Sequence, residues 1–273
     1  MRKTSGVSAI INFPYSIWSI IFIIAPFAMV AYYAFTNRAG DFTLDNIYAL
    51  KNYWETFLRS ILFALVSTVV CLVISYPLAY IVAKTKTSFQ RNIVLLIMIP
   101  MWMNLLIRTY SWITILSTNG LINNFLANFG IGPLNLLNTP FAVILGMVYN
   151  FLPYMILPIY SIMSKLDFTL IEASQDLGAS SMEVIKKVIF PLSLPGVVSG
   201  ITMVFVPCVS TFYISQMLGG GKILLIGDSI ETQFQSAYNY NLGASLSLVL
   251  MVLIIISMAL MNKFSDNEGE LII

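Results

Sequence analysis

The sequence predicts an all-α, polytopic membrane protein with six transmembrane helices, and three observations carry that prediction. Mean hydropathy over the 273 residues is +0.86, with 58% hydrophobic and 10% charged side chains. A soluble domain ordinarily carries about 25% charged residues. Six apolar runs reach the roughly 20 residues that a helix needs to cross the hydrocarbon core. Lysine and arginine divide unequally between the loops that those runs create.

The runs extend from Tyr15 to Phe35, Leu58 to Ala83, Ile93 to Leu116, Phe141 to Met163, Gly196 to Leu218, and Leu242 to Met261. Arg2 and Lys3 ahead of an apolar stretch have the charge pattern of a leader. The first run is too long for one and lacks a convincing cleavage site, so it reads as a retained span. Pro26, Pro77, Pro100, Pro153, Pro158 and Pro207 fall inside the spans and predict kinked helices. One side of the membrane collects Arg2, Lys3, Lys84, Lys86, Arg91, Lys165, Lys186, Lys187 and Lys263, and the other Arg38, Lys51, Arg59 and Lys222. The positive-inside rule makes the first side cytoplasmic. Residues 1–14 are then a cytoplasmic segment, 15–262 the membrane domain, and 263–273 a cytoplasmic tail.

Composition also excludes functions. Histidine is absent, and Cys71 and Cys208 sit singly in apolar runs without the spacing of a zinc or redox motif. No metal site is expected. The net charge of +2 is too mild for nucleic acid, and the basic residues form no stripe. The segment from Gly219 to Lys222, GGGK, lacks phosphate-loop spacing and has Ile223 where a magnesium-binding hydroxyl belongs. Any ATP site therefore belongs to another polypeptide. The twelve acidic residues all lie outside the predicted spans, which weakens the alternative of an ion-coupled carrier. Backbone carbonyls can also bind sodium, so that alternative stays open.

The most informative stretch is the loop of residues 164–195, SKLDFTLIEASQDLGASSMEVIKKVIFPLSLP. Asp167 can cap a short helix carrying Leu170, Ile171, Ser174 and Leu177. Gly178 can take the turn, and Ser180 or Ser181 can cap a second helix ending before Pro191. Two short helices meeting at a glycine form a knob with Leu177 and Ala179 among charges. The knob suits a protein partner or, equally on pattern, a linker lying on the membrane surface.

This loop resembles the EAA loop of the permeases of ATP-binding-cassette importers: E-A-A, three residues, Gly, nine residues, I-x-L-P. Glu172, Ala173 and Ser174 fill the first three places and Gly178 the glycine, with Asp176, Leu177 and Ala179 around it. Val188, Phe190 and Pro191 close the pattern. Ser174, Val188 and Phe190 are mild departures. The stretches NLLIRTYSWITILSTNGLINNFL, FLPYMILPIYSIMSKLD and MLGGGKILLIGDSIETQF further resemble the spermidine/putrescine branch of that family.

The resemblance implies a type I importer fold in a bacterial cytoplasmic membrane. It implies a second homologous permease, two ATPase subunits that bind ATP and magnesium, and an extracytoplasmic polyamine-binding protein. Glu172, Ala173, Ser174, Asp176, Leu177, Gly178, Ala179 and Pro191 then become the ATPase-coupling element. Importers of other small solutes, such as sulfate or thiamine, share the pattern. A path for a flexible polycation needs aromatic faces and amide or carbonyl oxygens. The candidates are Trp102, Asn104, Tyr110, Tyr154 and Tyr213, near prolines or polar residues inside spans. Arg108 would repel such a cargo and is expected to pair with Asp228 or Glu231 near the outer mouth.

Overall fold

The computed structural model describes residue 14, residues 17–167 and residues 169–269, with side chains except at 262 and 264–269. Tyr15, the expected start of the first span, lies outside the described residues, as do residues 1–13 and 270–273 of the expected terminal segments. The described chain is helical apart from turns and one isolated bridge between Thr36 and Phe42. It divides into two compact units, Met1–Glu55 with Ser229–Leu253, and Thr56–Asp228 with Ile254–Ile273.

In chain order, a π-helical stretch Ile20–Ile24 leads into α1 (Ala25–Ala34), followed by α2 (Asp45–Ala49) and a 3-10 turn Leu50–Tyr53. Next come α3 (Trp54–Ala83), α4 (Thr87–Trp102), α5 (Leu105–Leu116), α6 (Leu121–Ala127) and α7 (Pro140–Met163). The loop contributes α8 (Thr169–Asp176) and α9 (Ser181–Val184), joined by a π-helical turn Ile185–Ile189 to α10 (Phe190–Ser210). The chain finishes with α11 (Tyr213–Gly219), α12 (Ile226–Gln235) and α13 (Tyr240–Gly269). Five helical stretches are long and apolar enough to cross a membrane, or six when the bent pair α4 and α5–α6 counts as one span.

Two expected spans are built differently from a single kinked rod. The third breaks at Met103–Asn104, where the chain turns by 91°. Met103 and Asn104 are both extended (ψ 145° and 132°), and the Asn104 side chain accepts the Leu106 N–H at 2.7 Å. Asparagine as an N-cap starts a new helix here, so the interruption falls after Pro100 rather than at it. The fifth stretch begins earlier than expected, at Ser181, and ends at Ser210. Thr211 is extended, and Tyr213 to Leu218 belong to the separate α11.

Within the second unit the core lies where α10 packs on α7. Met155, Ile159 and Met163 of α7 and Val197, Val204 and Cys208 of α10 are buried. Gly196 and Gly200, one turn apart, let the backbones approach closely. A Cβ on Gly196 would lie 2.8 Å from the Pro158 carbonyl oxygen and 3.1 Å from the Ile159 Cα, and one on Gly200 would lie 2.7 Å from the Met155 Sδ. On the other flank α3 meets α7 through the Ser67 hydroxyl, 3.4 Å from the Met147 Sδ.

A second tie joins the ends of three helices. Gln90 donates to the carbonyls of Ala83 (2.9 Å) and Thr85 (2.8 Å), while its Oε1 accepts the Tyr160 hydroxyl at 3.0 Å. One amide thus satisfies the last carbonyls of α3 and holds α7 beside them.

Because two of the atoms opposing Gly196 are backbone, they cannot yield cheaply. Gly196→Leu is expected to cost about 1–3 kcal/mol from overpacking and to lower the melting temperature of the detergent-solubilised protein. Gly132→Ala, where a Cβ meets nothing within 4 Å, should leave it unchanged.

Candidate functional site

The loop between α7 and α10 folds as two caps set back to back. At the end of α8 the Ala179 N–H donates to the Ser174 carbonyl (3.1 Å) and the Gly178 N–H to the Gln175 carbonyl (2.9 Å). This is the Schellman arrangement, which requires a left-handed residue at its turn. Gly178 supplies it with φ +87° and open space around it. Two residues later Ser180 opens α9 with a reciprocal capping box. Its hydroxyl accepts the Glu183 N–H (3.4 Å) while Glu183 Oε2 accepts the Ser180 N–H (3.0 Å).

The charges support these caps. The Ser180 backbone N–H, then the Ser180 hydroxyl, then Lys187 at 3.3 Å all favour ionised Glu183 and hold its carboxyl below the usual range. Asp167 is lowered likewise, first by the Thr169 N–H that its side chain accepts at 3.0 Å. Both carboxylates sit at the N-terminal ends of helices, where negative charge is favoured.

Ile171, Val184 and Ile189 are buried beneath the loop, and Leu177 is 90% exposed at its tip. An apolar side chain held out on a rigid, polar-rimmed turn is the shape of an insertion into a protein groove. Glu172, Ala173 and Asp176 are exposed on α8, and Ser174 is half-buried with its hydroxyl bonded to the Leu170 carbonyl at 2.6 Å. Ala179 is half-buried beside the turn.

Contrary to the expected stop before Pro191, the helix runs on through it. The Phe190 N–H reaches back to the Ile185 carbonyl, a π-type bond. Widening the turn in this way accommodates a residue that lacks an N–H and whose ring would crowd the preceding turn. The loop is therefore covalently and helically continuous with the α10 core. It also grips α3: the rings of Tyr76 and Phe190 lie 6.0 Å apart, and the Tyr76 and Ser193 hydroxyls are 3.1 Å apart.

Of the candidate path residues, Trp102 and Asn104 stand at the first helix interruption and Tyr213 just after the second, while Tyr110 and Tyr154 lie within α5 and α7. Trp102 ends α4 with three quarters of its surface exposed, and Asn104 caps α5. Tyr110 of α5 lies next to Tyr213, the first residue of α11. Tyr154 is partly exposed on α7 beside Phe151, with ring centroids 6.3 Å apart. Trp112 and Tyr149 meet edge-on at 5.4 Å, adding aromatic surface between α5 and α7.

The expected tie of Arg108 to Asp228 is replaced by other bonds. Asp228 is buried, and its Oδ2 accepts the Ser215 hydroxyl at 2.7 Å and the Leu225 N–H at 2.8 Å. The Ile226 N–H donates to the Ser60 hydroxyl at 2.7 Å. Asp228 thus fastens the start of α12 to α11. Arg108 is buried on α5, and its Nε and Nη1 have no hydrogen-bond partner among the described residues. Glu231 belongs to the other unit.

Helices of membrane-spanning length, two of the expected spans interrupted, with an ordered knob on the loop before α10, fit the class of importer permeases that work with a binding protein. The family described as "Binding-protein-dependent transport system inner membrane component" matches residues 75–267, and the chain belongs to it. Among its relatives is the Salmonella typhimurium protein named spermidine/putrescine transport system permease protein PotB. It is 38% identical over 255 residues, covering 90% of this chain and 89% of that protein. The Escherichia coli protein of the same name is 39% identical over 238 residues, covering 84% and 86%. In fold the chain is similar to a bacterial transporter described as importing the acidic polysaccharide alginate, with a TM-score of 0.77, 17% identity and coverage of 96% and 95%.

Sequence reasoning missed four structural residues. The spacing of Gly196 and Gly200 was visible as a small-xxx-small pattern. Gln90 and Ser215 are single polar residues whose partners lie in distant segments, and nothing local marks them.

Acidification gives a direct check of the capping box. A carboxyl lowered by folding contributes stability that is present above its unfolded pKa and is lost as pH falls through the folded value. Amide exchange at Ser180 and Glu183 is expected to accelerate, after correction for intrinsic rates, as pH drops below the usual carboxylate range. Glu183→Ala should show the faster exchange already at neutral pH.

Proposed function

We propose that this chain is the permease subunit of an ATP-driven polyamine importer, forming half of the translocation path. The observation that carries the reading is the rigid knob at Gly178 on an EAA-type loop, in a chain whose 38–39% identical relatives are named spermidine/putrescine permeases. In this reading a second homologous permease supplies the other half of the path. Two ATPase subunits bind ATP and magnesium in the cytoplasm, and the knob seats Leu177 in a cleft on one of them. An extracytoplasmic binding protein delivers spermidine or putrescine.

Residues 15–262 form the membrane domain, both termini are cytoplasmic, and residues 164–195 carry the coupling. Closure of the ATPases around ATP moves the knob, and α10 transmits that movement to α7 and to the interruptions at Asn104 and Thr211. Selection resides in the binding protein, because the path offers π faces and amide oxygens in place of carboxylates. Trp102, Asn104, Tyr110, Tyr154 and Tyr213 hold the cargo weakly and briefly, which favours passage over retention.

The chain co-expressed with its ATPases and second permease, and reconstituted with binding protein, should support ATP-dependent uptake of radiolabelled spermidine. Gly178→Val forces a β-branched residue into the left-handed region, at about 1–2 kcal/mol. Combined with Glu172→Leu it should reduce ATPase co-purification and uptake at least tenfold while membrane insertion persists. Uptake of sulfate or thiamine in place of spermidine would reassign the cargo, and normal ATPase attachment in the double variant would contradict the coupling role.

A further inference from the structure

The first unit carries a pocket that the transport reading does not use. It lies where the apolar stretches Ile17–Ala34 and Tyr240–Met261 reach their polar ends, and it encloses about 430 Å³. Its lining includes Tyr32 and Tyr33 at the end of α1, Asn37 and Arg38 in the following turn, and Tyr238 and Tyr240 at the start of α13.

The walls are preorganised. The Asn241 amide donates to the carbonyls of Thr36 (2.7 Å) and Tyr33 (3.1 Å). The Asn46 amide donates to the Thr36 carbonyl at 2.8 Å, so one turn is gripped from two sides. Gly40 closes that turn at φ +90°, against the Tyr32 hydroxyl. Tyr238 is held at φ +50°, a conformation uncommon for a bulky residue, and its ring is 65% exposed. An uncommon backbone conformation that presents an aromatic side chain at the rim of a pocket is the kind of feature from which a functional role is inferred.

We propose that this pocket receives the phosphodiester headgroup of an anionic phospholipid. Arg38 is the one charged residue in its lining. The carboxylate nearest in sequence, Asp41, accepts the Asn37 side-chain amide at 3.3 Å. Arg38 and the tyrosines that share this lining can offer a phosphate charged and neutral donors, and the guanidinium repels an ammonium-bearing cargo. The acyl chains have a surface to follow, since the span ending at this pocket is only 6% buried within the chain. Its Phe27 and Met29 lie exposed below the tyrosines. Tyrosine belongs at this depth of a bilayer, with its ring in the apolar zone and its hydroxyl among headgroups.

The test uses the intact transporter complex in nanodiscs with equal phosphatidylglycerol and phosphatidylcholine, and native mass spectrometry of the lipids retained. The expected result is selective retention of phosphatidylglycerol. Arg38→Gln and Tyr238→Gly should each weaken it roughly tenfold, the loss of a charge-assisted hydrogen bond or of the ring that covers it. Phosphatidylcholine retention should not change. Equal retention of both lipids by the unmodified complex would overturn the proposal without any variant. Displacement of the lipid by soluble glycerol phosphate at equal concentration would also overturn it, by assigning the pocket to a free anion. So would displacement by spermidine, or a cross-link from Tyr238 to the binding protein in place of lipid.

Discussion

The junction between Ser174 and Glu183 is the constraint on which the rest depends. Four backbone and side-chain bonds close two helix ends within ten residues, and the geometry exists only because Gly178 occupies the left-handed region. Short helices such as α8 and α9 are marginal on their own, since nucleation is costly. Reciprocal capping and the burial of Ile171, Val184 and Ile189 convert them into a firm support for an exposed Leu177.

Rigidity at the tip would be useless without rigidity behind it. The π-turn before Pro191 keeps the helix unbroken into α10, and the glycine approach at Gly196 and Gly200 presses α10 onto the α7 backbone. Contacts of this kind have little room to slide, because the opposing atoms include the main chain of Pro158, Ile159 and Met155. The breaks in the helices are placed elsewhere, at Asn104 and at Thr211. There the helices stop and restart, and polar and aromatic side chains collect. Interrupted helices at membrane depth are tolerated where they line a cavity or pack against protein.

Much of this was legible in the sequence, for physical reasons that can be stated residue by residue. Apolar length and basic loop residues revealed the bundle because lipid imposes a coarse, additive demand on composition. The Gly178 turn and the Ser180 cap were legible because capping is local chemistry. The break at Asn104 was not, because asparagine inside an apolar run reads as a polar path residue until its N–H acceptor role is seen. The continuation through Pro191 was hidden for a similar reason: proline signals a stop, and only the preceding five-residue turn shows how the helix evades it. Charge alone nominated Asp228 as a partner for Arg108, whereas the fold gives that carboxylate the Ser215 hydroxyl and the Leu225 N–H.

The central claim is that the knob and α10 move as one body when ATP is bound. Spin labels at Leu177→Cys and Ser199→Cys, in a chain whose Cys71 and Cys208 are replaced by alanine, report that distance in the assembled transporter by pulsed electron resonance. The account predicts one narrow distance distribution, the same in nucleotide-free and ATP-trapped complexes. A shift of several ångströms between the two states, or a broad distribution in either, would contradict it.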